Sequence, residues 1–398
     1  YQLGRLYPSS PWRLKALTAA ANRYLVTNQI DAYEPLYRAC YETFPKSQDA
    51  AVCHWKVTWG HYIRRRDDAV AMLKSHLRSF PQSEAASAAL YFLGHKSEEA
   101  GNPSDALAYY REAVGQYPNE YYGMQARGRI AKLGEVAPSA EVSQFLASLP
   151  FPKRARTQNF EPTEASKTRF ARVDFLNRAG LKDLAEAELR FAAQTEDQPH
   201  LMAMKIGAQV VKPELGIRYI KRYAAGYLFY QFQSTPSDFW KQAFPLPYHT
   251  DLERNARKNG LDPFLVAALI RQESEFDAKV VSNRNARGLM QIEPVTGLEQ
   301  SKKIKLTGFT TPALFEPSVN LQLGTHIFKE MIGRFDGSVE AALAAYNAGP
   351  TRANAWLTWA QFKEPPEFVE TVPFTQTRGY IQAVLRNADM YRRIWSGD

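Results

Sequence analysis

Apolar positions along the chain recur with helical rather than strand spacing. In the first third the pattern itself repeats. Asp31-Ala32-Tyr33, Asp68-Ala69-Val70 and Asp105-Ala106-Leu107 stand 37 residues apart, and Phe44-Pro45, Phe80-Pro81 and Tyr117-Pro118 follow at nearly the same period. Amphipathic stretches lie between these marks, among them residues 85–100 and 104–117; the latter is expected to start on Ser104 as its N-cap and to stop before Pro118. The unit is a helix, a short turn, a second helix and an aromatic–proline stop. A period of this length built from helix pairs predicts a helical-hairpin superhelix of tetratricopeptide-like kind. Its curved surface suits a peptide, a partner protein or a long polymer, or else serves as scaffold only.

From residue 132 to 166 the character changes. Pro138, Pro150, Pro152 and Pro162 punctuate a polar stretch containing Lys153-Arg154-Ala155-Arg156, the pattern of a connection between domains. Helical patterning returns over residues 168–221, with further helix starts at Pro213 and Pro236, and Pro245-Leu246-Pro247 closes the segment. No alternating strand pattern appears. The predicted fold is all-α in three parts: a helical-repeat superhelix over 1–135, a helical linker domain over 136–245 and a C-terminal domain over 246–398.

Length and composition fit this division. The 398 residues suffice for two or three cores, and 45% hydrophobic with 23% charged residues is a globular balance. No run is long and apolar enough to span a bilayer, and no signal peptide is visible. The chain opens inside a helical pattern, so an N-terminal part is expected to be missing. The net charge of +9 favours anionic partners. Arg64-Arg65-Arg66 is the longest basic block and no nucleic-acid motif accompanies it, so nucleic acid is not an expected partner. The two cysteines, Cys40 and Cys53, fit no zinc pattern, and the seven histidines show no ligand spacing; neither metal nor cofactor is expected. Helices flanking the turn at residues 44–49 would set both thiols at one height. A disulfide, which belongs to an oxidising compartment, and two buried thiols both remain open.

The candidate chemistry lies in the last third. Asp262-Pro263 opens a helix with a capping residue and a proline in the first turn, and Phe264, Leu265, Val266, Ala268, Leu269 and Ile270 make it apolar on most sides. Glu273 continues a buried face one turn beyond Leu269, while Glu275 points away. Burial favours a protonated carboxyl, as a general acid working near neutral pH requires. Position alone favours an ordinary exposed glutamate; the motifs downstream of it overturn that. Ser282 comes first, then Ala286-Arg287-Gly288-Leu289-Met290-Gln291-Ile292. Ala345-Tyr346-Asn347-Ala348-Gly349-Pro350 ends a helix that Ser338 can cap. Last are Phe368-Val369-Glu370-Thr371-Val372-Pro373-Phe374 and Thr377-Arg378-Gly379-Tyr380-Ile381.

In this order and spacing, residues 250–395 resemble the soluble lytic transglycosylases. The upstream arrays resemble that family's superhelical and linker domains more weakly. The resemblance implies a lysozyme-like catalytic domain that cleaves the β-1,4 bond between N-acetylmuramic acid and N-acetylglucosamine without water, leaving 1,6-anhydromuramoyl ends. Glu273 would be the single acid and then base. Ser282 would hydrogen-bond near the acetamido group or Glu273. Gly288 would let backbone approach the substrate, and Met290 and Gln291 would contribute to sugar binding. Tyr346 would position the acetamido group or modulate the acid, Asn347 would brace the site, and Glu370 would line the cleft. The implied partner is peptidoglycan, itself an anionic polymer. The implied location is the periplasm or cell envelope, with the repeats available to proteins of cell-wall synthesis or division.

Three departures from the family pattern stand out. Glu293 precedes Pro294 where the family commonly has Met, which sets a carboxylate near the sugar subsites or turns it to solvent. Gln376 replaces a glutamate. Asn285 stands for a glycine, and asparagine tolerates the same left-handed backbone. Two other functions compete: a goose-type lysozyme-like hydrolase with Glu293 or Glu370 activating water, and a helical-repeat binding protein without catalysis.

Overall fold

Each aromatic–proline pair of the repeat ends a helix. Proline disfavours helical backbone in the residue before it. Phe44, Phe80 and Tyr117 accordingly leave their helices with nearly one conformation, φ −124°, −138° and −134° with ψ 55°, 54° and 56°. The computed structural model describes residues 2–209 and 212–396. The chain forms two units: one from its start to Arg154 together with Leu343–Ile381, the other from Ala155–Ala342 together with the residues from Gln382 on.

The first unit begins with α1 (Gln2–Leu6), α2 (Pro11–Leu25), α3 (Ile30–Thr43), α4 (Ala50–Ile63) and α5 (Ala69–Ser79). It continues through α6 (Ala86–Glu99), α7 (Pro103–Gln116), α8 (Tyr121–Leu133) and α9 (Ala140–Ala147). From α2 to α8 each helix packs on the next. The 37-residue spacing therefore counts helix pairs: α3 with α4, α5 with α6, α7 with α8. The helix expected to start on Ser104 starts earlier. Pro103 takes its first position with Asn102 before it, where a residue lacking N–H loses nothing. The stretch expected to be a plain connection contains α9, capped by Ser139 Oγ and packed on α7.

Helices α4 and α6 are buried around most of their circumference, from Cys53 to Tyr62 and from Ala86 to His95. Gly94 admits the Tyr110 ring, since a Cβ there would lie 2.4 Å from Tyr110 Cε1. Tyr91, Phe92 and Tyr122 pack at ring separations of 5.2–5.6 Å. Burying such a ring contributes roughly 1.5–3 kcal/mol, so this aromatic column is a main source of the unit's stability. Cys40 and Cys53 form a disulfide joining α3 to α4 across the predicted turn.

The second unit holds α10 (Glu164–Arg178), α11 (Lys182–Thr195), α12 (Pro199–Gln209), α13 (Pro213–Tyr223) and α14 (Ser237–Ala243). It goes on with α15 (His249–Lys258), α16 (Pro263–Glu273), α17 (Pro294–Lys303) and α18 (Pro317–Arg334). Helix α14 ends on Phe244 before Pro245 in the same stop conformation, φ −132°, ψ 63°. The division of the chain falls inside α19 (Val339–Ala348); α20 (Pro350–Leu357) and α21 (Pro365–Thr371) belong to the first unit, and α22 (Thr375–Trp395) is divided after Ile381. In the second unit the end of α22 covers the α14 stop: Tyr391 OH donates to Pro245 O at 2.9 Å and Trp395 Nε1 to Phe244 O at 3.0 Å. The expected all-α class is what forms. Among the described residues the β pairing is two isolated bridges, Val281–Arg287 and Arg287–Ile292. No described helix is long and apolar enough to cross a membrane.

Candidate active site

Helix α16 starts as the sequence predicts. Asp262 Oδ1 accepts the Phe264 N–H at 2.9 Å, Pro263 occupies the first turn, and Leu265 through Arg271 are buried. Arg271 pins the last turn from within. Its Nε donates to Ala243 O and its Nη2 to Tyr227 OH, both at 2.9 Å, and its guanidinium lies 4.3 Å from the centre of the Phe244 ring. Glu273 is the final, half-buried residue of this helix.

Beyond it the chain turns through two consecutive non-glycine residues in left-handed backbone, Glu275 (φ 53°) and Phe276 (φ 69°). Such conformations cost about 1–3 kcal/mol each and persist only where surrounding packing dictates them. Here Phe276 is buried and Glu275 pairs with Arg218 and Lys221. Partial burial pushes the Glu275 carboxyl up, but the Lys221 and Arg218 contacts outweigh it and hold the group below the usual carboxylate range. Glu275 thus lies beyond the helix that Glu273 ends, in left-handed backbone and paired with two cations.

Ser274 links this turn to the Gly-Leu-Met-Gln run. Its Oγ donates to Leu289 O at 2.8 Å and accepts the Phe276 N–H at 3.2 Å. Ser282 closes a tight loop: its Oγ accepts the N–H groups of Arg284 (3.3 Å) and Ala286 (3.1 Å), and its own N–H donates to Ala286 O. Accepting both leaves the hydroxyl proton for a further acceptor. Asn285 within this loop is left-handed, φ 63°, as expected.

Gly288 is also left-handed (φ 72°). A Cβ there would meet Leu314 O at 2.3 Å and Asn320 Nδ2 at 2.5 Å, so the approach the glycine permits is that of the protein itself. Met290 is fully buried against Gly324 of α18, where the thioether fills the space a side chain would need. Gln291, φ 49°, donates from Nε2 to Gly288 O at 2.9 Å, which leaves its amide oxygen as an acceptor. Glu293 is exposed and precedes α17, where the helix dipole favours a carboxylate.

Sequence reasoning missed Asn320, which holds this loop together. It is fully buried; its Oδ1 accepts the Met290 N–H at 2.8 Å, and its Nδ2 donates to Leu314 O (2.7 Å) and Arg287 O (3.0 Å). The available signal was a polar residue on the apolar stripe of Leu321, Leu323 and Ile327, since buried amides require partners.

Ser338 caps the start of α19 by accepting the Ala341 N–H. The remaining candidates belong to the first unit. Tyr346 and Asn347, at the end of α19, are half-buried, and Asn347 Oδ1 accepts a hydrogen bond from the buried Thr377 hydroxyl at 2.7 Å. Gln376 is exposed.

Glu370 is 4% exposed, with Oε1 accepting from Trp55 Nε1 at 2.7 Å, Oε2 from Tyr122 OH at 2.5 Å, and Arg378 Nε at 3.7 Å. It is the last of three glutamates spaced by three residues: Glu364 stands just before α21, and Glu367 and Glu370 share one side of it. Glu367, fully buried, receives Arg65 in a two-pronged pair at 2.6 Å on each oxygen and the Lys363 N–H at 2.8 Å. Glu364 meets Arg129 and Tyr91 OH, and burial raises its carboxyl above the usual range despite Arg129. Helices α4, α6 and α8 supply most of these donors, so the ladder ties α21 to the superhelix. Beneath it, burial pushes the Lys56 ammonium down to about 7, with Arg378 adding to the effect and Glu370 opposing it.

Residues 252–369 match the family "Transglycosylase SLT domain". Over 163 residues the chain is 35% identical to the soluble lytic murein transglycosylase of Escherichia coli (strain K12), covering 40% of this chain and 25% of that protein. Its Salmonella typhimurium counterpart is 36% identical over 157 residues, 39% and 24% of the two chains. The chain thus spans about a quarter of the length of these curated relatives. Among solved structures, an inactive mutant of the lytic transglycosylase Slt from Pseudomonas aeruginosa aligns with a TM-score of 0.71 at 24% identity, over 98% of this chain and 59% of that one. The 70 kDa soluble lytic transglycosylase of E. coli aligns at 0.59 and 21% identity, over 98% and 64%. The fold is shared with both, and the chain resembles the soluble lytic transglycosylases.

Proposed function

We propose that this chain, which carries a transglycosylase SLT domain over residues 252–369, is a peptidoglycan lytic transglycosylase. The observation that carries the reading is the setting of Glu273. It ends a buried helix fixed by Arg271, and the next residue is hydrogen-bonded to the Gly-Leu-Met-Gln run. A carboxyl held this way suits a single acid/base.

In the proposed reaction Glu273 protonates the glycosidic oxygen, the C1–O bond breaks, and N-acetylglucosamine departs with that proton. The 2-acetamido oxygen stabilises the cation at C1, as in substrate-assisted glycosidases. Glu273, now a carboxylate, takes the proton of the muramoyl C6 hydroxyl, and O6 bonds to C1. Acid and base are one residue used in both directions. Ser282 and Gln291 retain a donor and an acceptor that suit acetamido and hydroxyl groups. Tyr346 positions the acetamido group or modulates the acid, and Asn347 braces the site. Glu370 contributes indirectly, by fixing the helix that carries it.

The disulfide agrees with an oxidising compartment, so the proposed location is the periplasm, and the proposed partner is the glycan strand. Proteins of cell-wall synthesis or division are further proposed partners of the superhelix. Mass spectrometry of digested peptidoglycan tests the reading. Anhydromuramoyl ends are expected, and they should vanish in Glu273→Gln while its circular dichroism stays unchanged. Reducing ends would replace the proposal with hydrolysis, and undiminished turnover by Glu273→Gln would remove Glu273 from the chemistry.

A further inference from the structure

Within the first unit, one cavity of about 680 Å³ remains outside the chemistry above. Asn28, in the turn between α2 and α3, and Arg64 and Arg65, after α4, form one side; the segment from Trp359 to Lys363, which joins α20 to α21, forms the other. The volume lies within the range of small-molecule sites. Its lining holds three cations, Arg64, Arg65 and Lys363, and no carboxylate, together with the aromatic rings of Trp359 and Phe362.

The three cations are not equally committed. Arg65 is locked to the buried Glu367. Arg64 meets Asp31, whose side chain is 85% exposed, and Lys363, itself 54% exposed, meets Glu99. Each pair has one well-exposed partner, and Glu99, 21% exposed, keeps Lys96 when Lys363 leaves, so an incoming anion can compete for Arg64 and Lys363. Two lining residues, Asn28 (φ 56°) and Arg65 (φ 59°), hold left-handed backbone. Both reach across to fix the opposite wall: Asn28 Nδ2 donates to Trp359 O and Arg65 Nη2 to Gln361 O, each at 3.4 Å. One wall is thus tied to the other, and the cavity combines aromatic residues with available positive charge.

We propose that this cavity is a non-catalytic binding site for a carboxylate-bearing peptidoglycan fragment, a disaccharide with its stem peptide. The sugar lies against Trp359 and the carboxylates face Arg64 and Lys363. The proposal rests on the reading of the chain as a peptidoglycan enzyme. It gives a role to the Arg64-Arg65-Arg66 block, which the catalytic reading leaves unused: Arg65 builds the wall and Arg64 meets the ligand.

The test is calorimetric titration of the full chain carrying Glu273→Gln with purified disaccharide-tetrapeptide. Two classes of site are expected. Adding Arg64→Ala with Lys363→Ala, or Trp359→Ala, should weaken one class at least tenfold with melting temperature unchanged. The same fragment with amidated carboxylates, titrated into the unaltered cavity, should lose that class without any substitution there. Variants that keep both classes at parental affinity, or an amidated fragment that binds equally well, would overturn the site. Turnover is read separately. Arg64-dependent binding without anhydro products sinks the enzymatic reading alone, and anhydro products with binding indifferent to Arg64 sink this one alone.

Discussion

Replacing Arg65 by alanine isolates the pair on which α21 depends. Glu367 is fully buried, and Arg65, with a side chain 26% exposed, holds both its oxygens at 2.6 Å. Removing one partner of a buried pair costs about 3–5 kcal/mol, because the other charge is left without compensation. Two features lower that figure here. Arg65 is not wholly desolvated, and Glu367 keeps the Lys363 N–H at 2.8 Å. About 2–3 kcal/mol remains, equivalent to a fall in melting temperature of roughly 5–10 °C for a unit of this size. Arg65→Lys keeps the charge without the fork and should lie between the two. Glu367→Gln removes the stranded charge, so Arg65→Ala with Glu367→Gln should recover much of the loss. The assay is urea and thermal unfolding of all four members of the double-mutant cycle, followed by circular dichroism. A loss below about 0.5 kcal/mol for Arg65→Ala, the level of an ordinary surface change, would refute the argument. So would additive effects of the two substitutions, which would show that the pair does not couple the superhelix to α21.

Other outcomes rest on the same physics. Asn320→Ala removes three hydrogen bonds to buried backbone groups and should cost about 2–4 kcal/mol; kcat should fall with little change in KM, and a variant with parental stability and kcat would show that the loop stands without it. Reducing Cys40–Cys53, which closes a loop of 13 residues, should lower stability by about 2–3 kcal/mol; equal urea midpoints with and without reductant would contradict this. Burial lowers His54 to about 4 and His76 to about 3, and the two share a hydrogen bond between their Nδ1 atoms at 3.1 Å. Both rings are neutral in folded and unfolded protein above the ordinary histidine range, whereas below about pH 6.5 only the unfolded chain takes up protons. Stability should therefore fall from about pH 6.5 toward pH 4, by about 1.4 kcal/mol per unit for each ring. A urea midpoint constant between pH 7 and pH 4.5 would count against it.

The local rules were legible in the chain. The pre-proline stops, the Asp262-Pro263 start and the left-handed Asn285 each depend on one or two neighbouring residues, and they form as the sequence predicts. Glu370 was not legible, because its partners Trp55 and Tyr122 are 315 and 248 residues distant. The cleft role was implied by family resemblance alone; the three-residue spacing of Glu364, Glu367 and Glu370 was a signal that went unused. The packing of Gly288 and Met290 was not legible for a related reason. A motif says which residues recur together, whereas the contacts they answer to come from Leu314, Asn320 and Gly324 on the following helices. Ser104 was displaced by a rule already at hand, since Pro103 claims the first helical position.

The glutamate ladder also bears on where this protein can be cut. The family match opens at residue 252, which invites excision of everything before it. Yet Leu343–Ile381 folds with the first 154 residues. Severed there, α21 would turn three carboxylates toward water with Arg65, Arg129, Trp55 and Tyr122 gone, and the helix bearing Glu370 would lose what orders it. The evolutionary module and the folding module of this chain therefore have different edges.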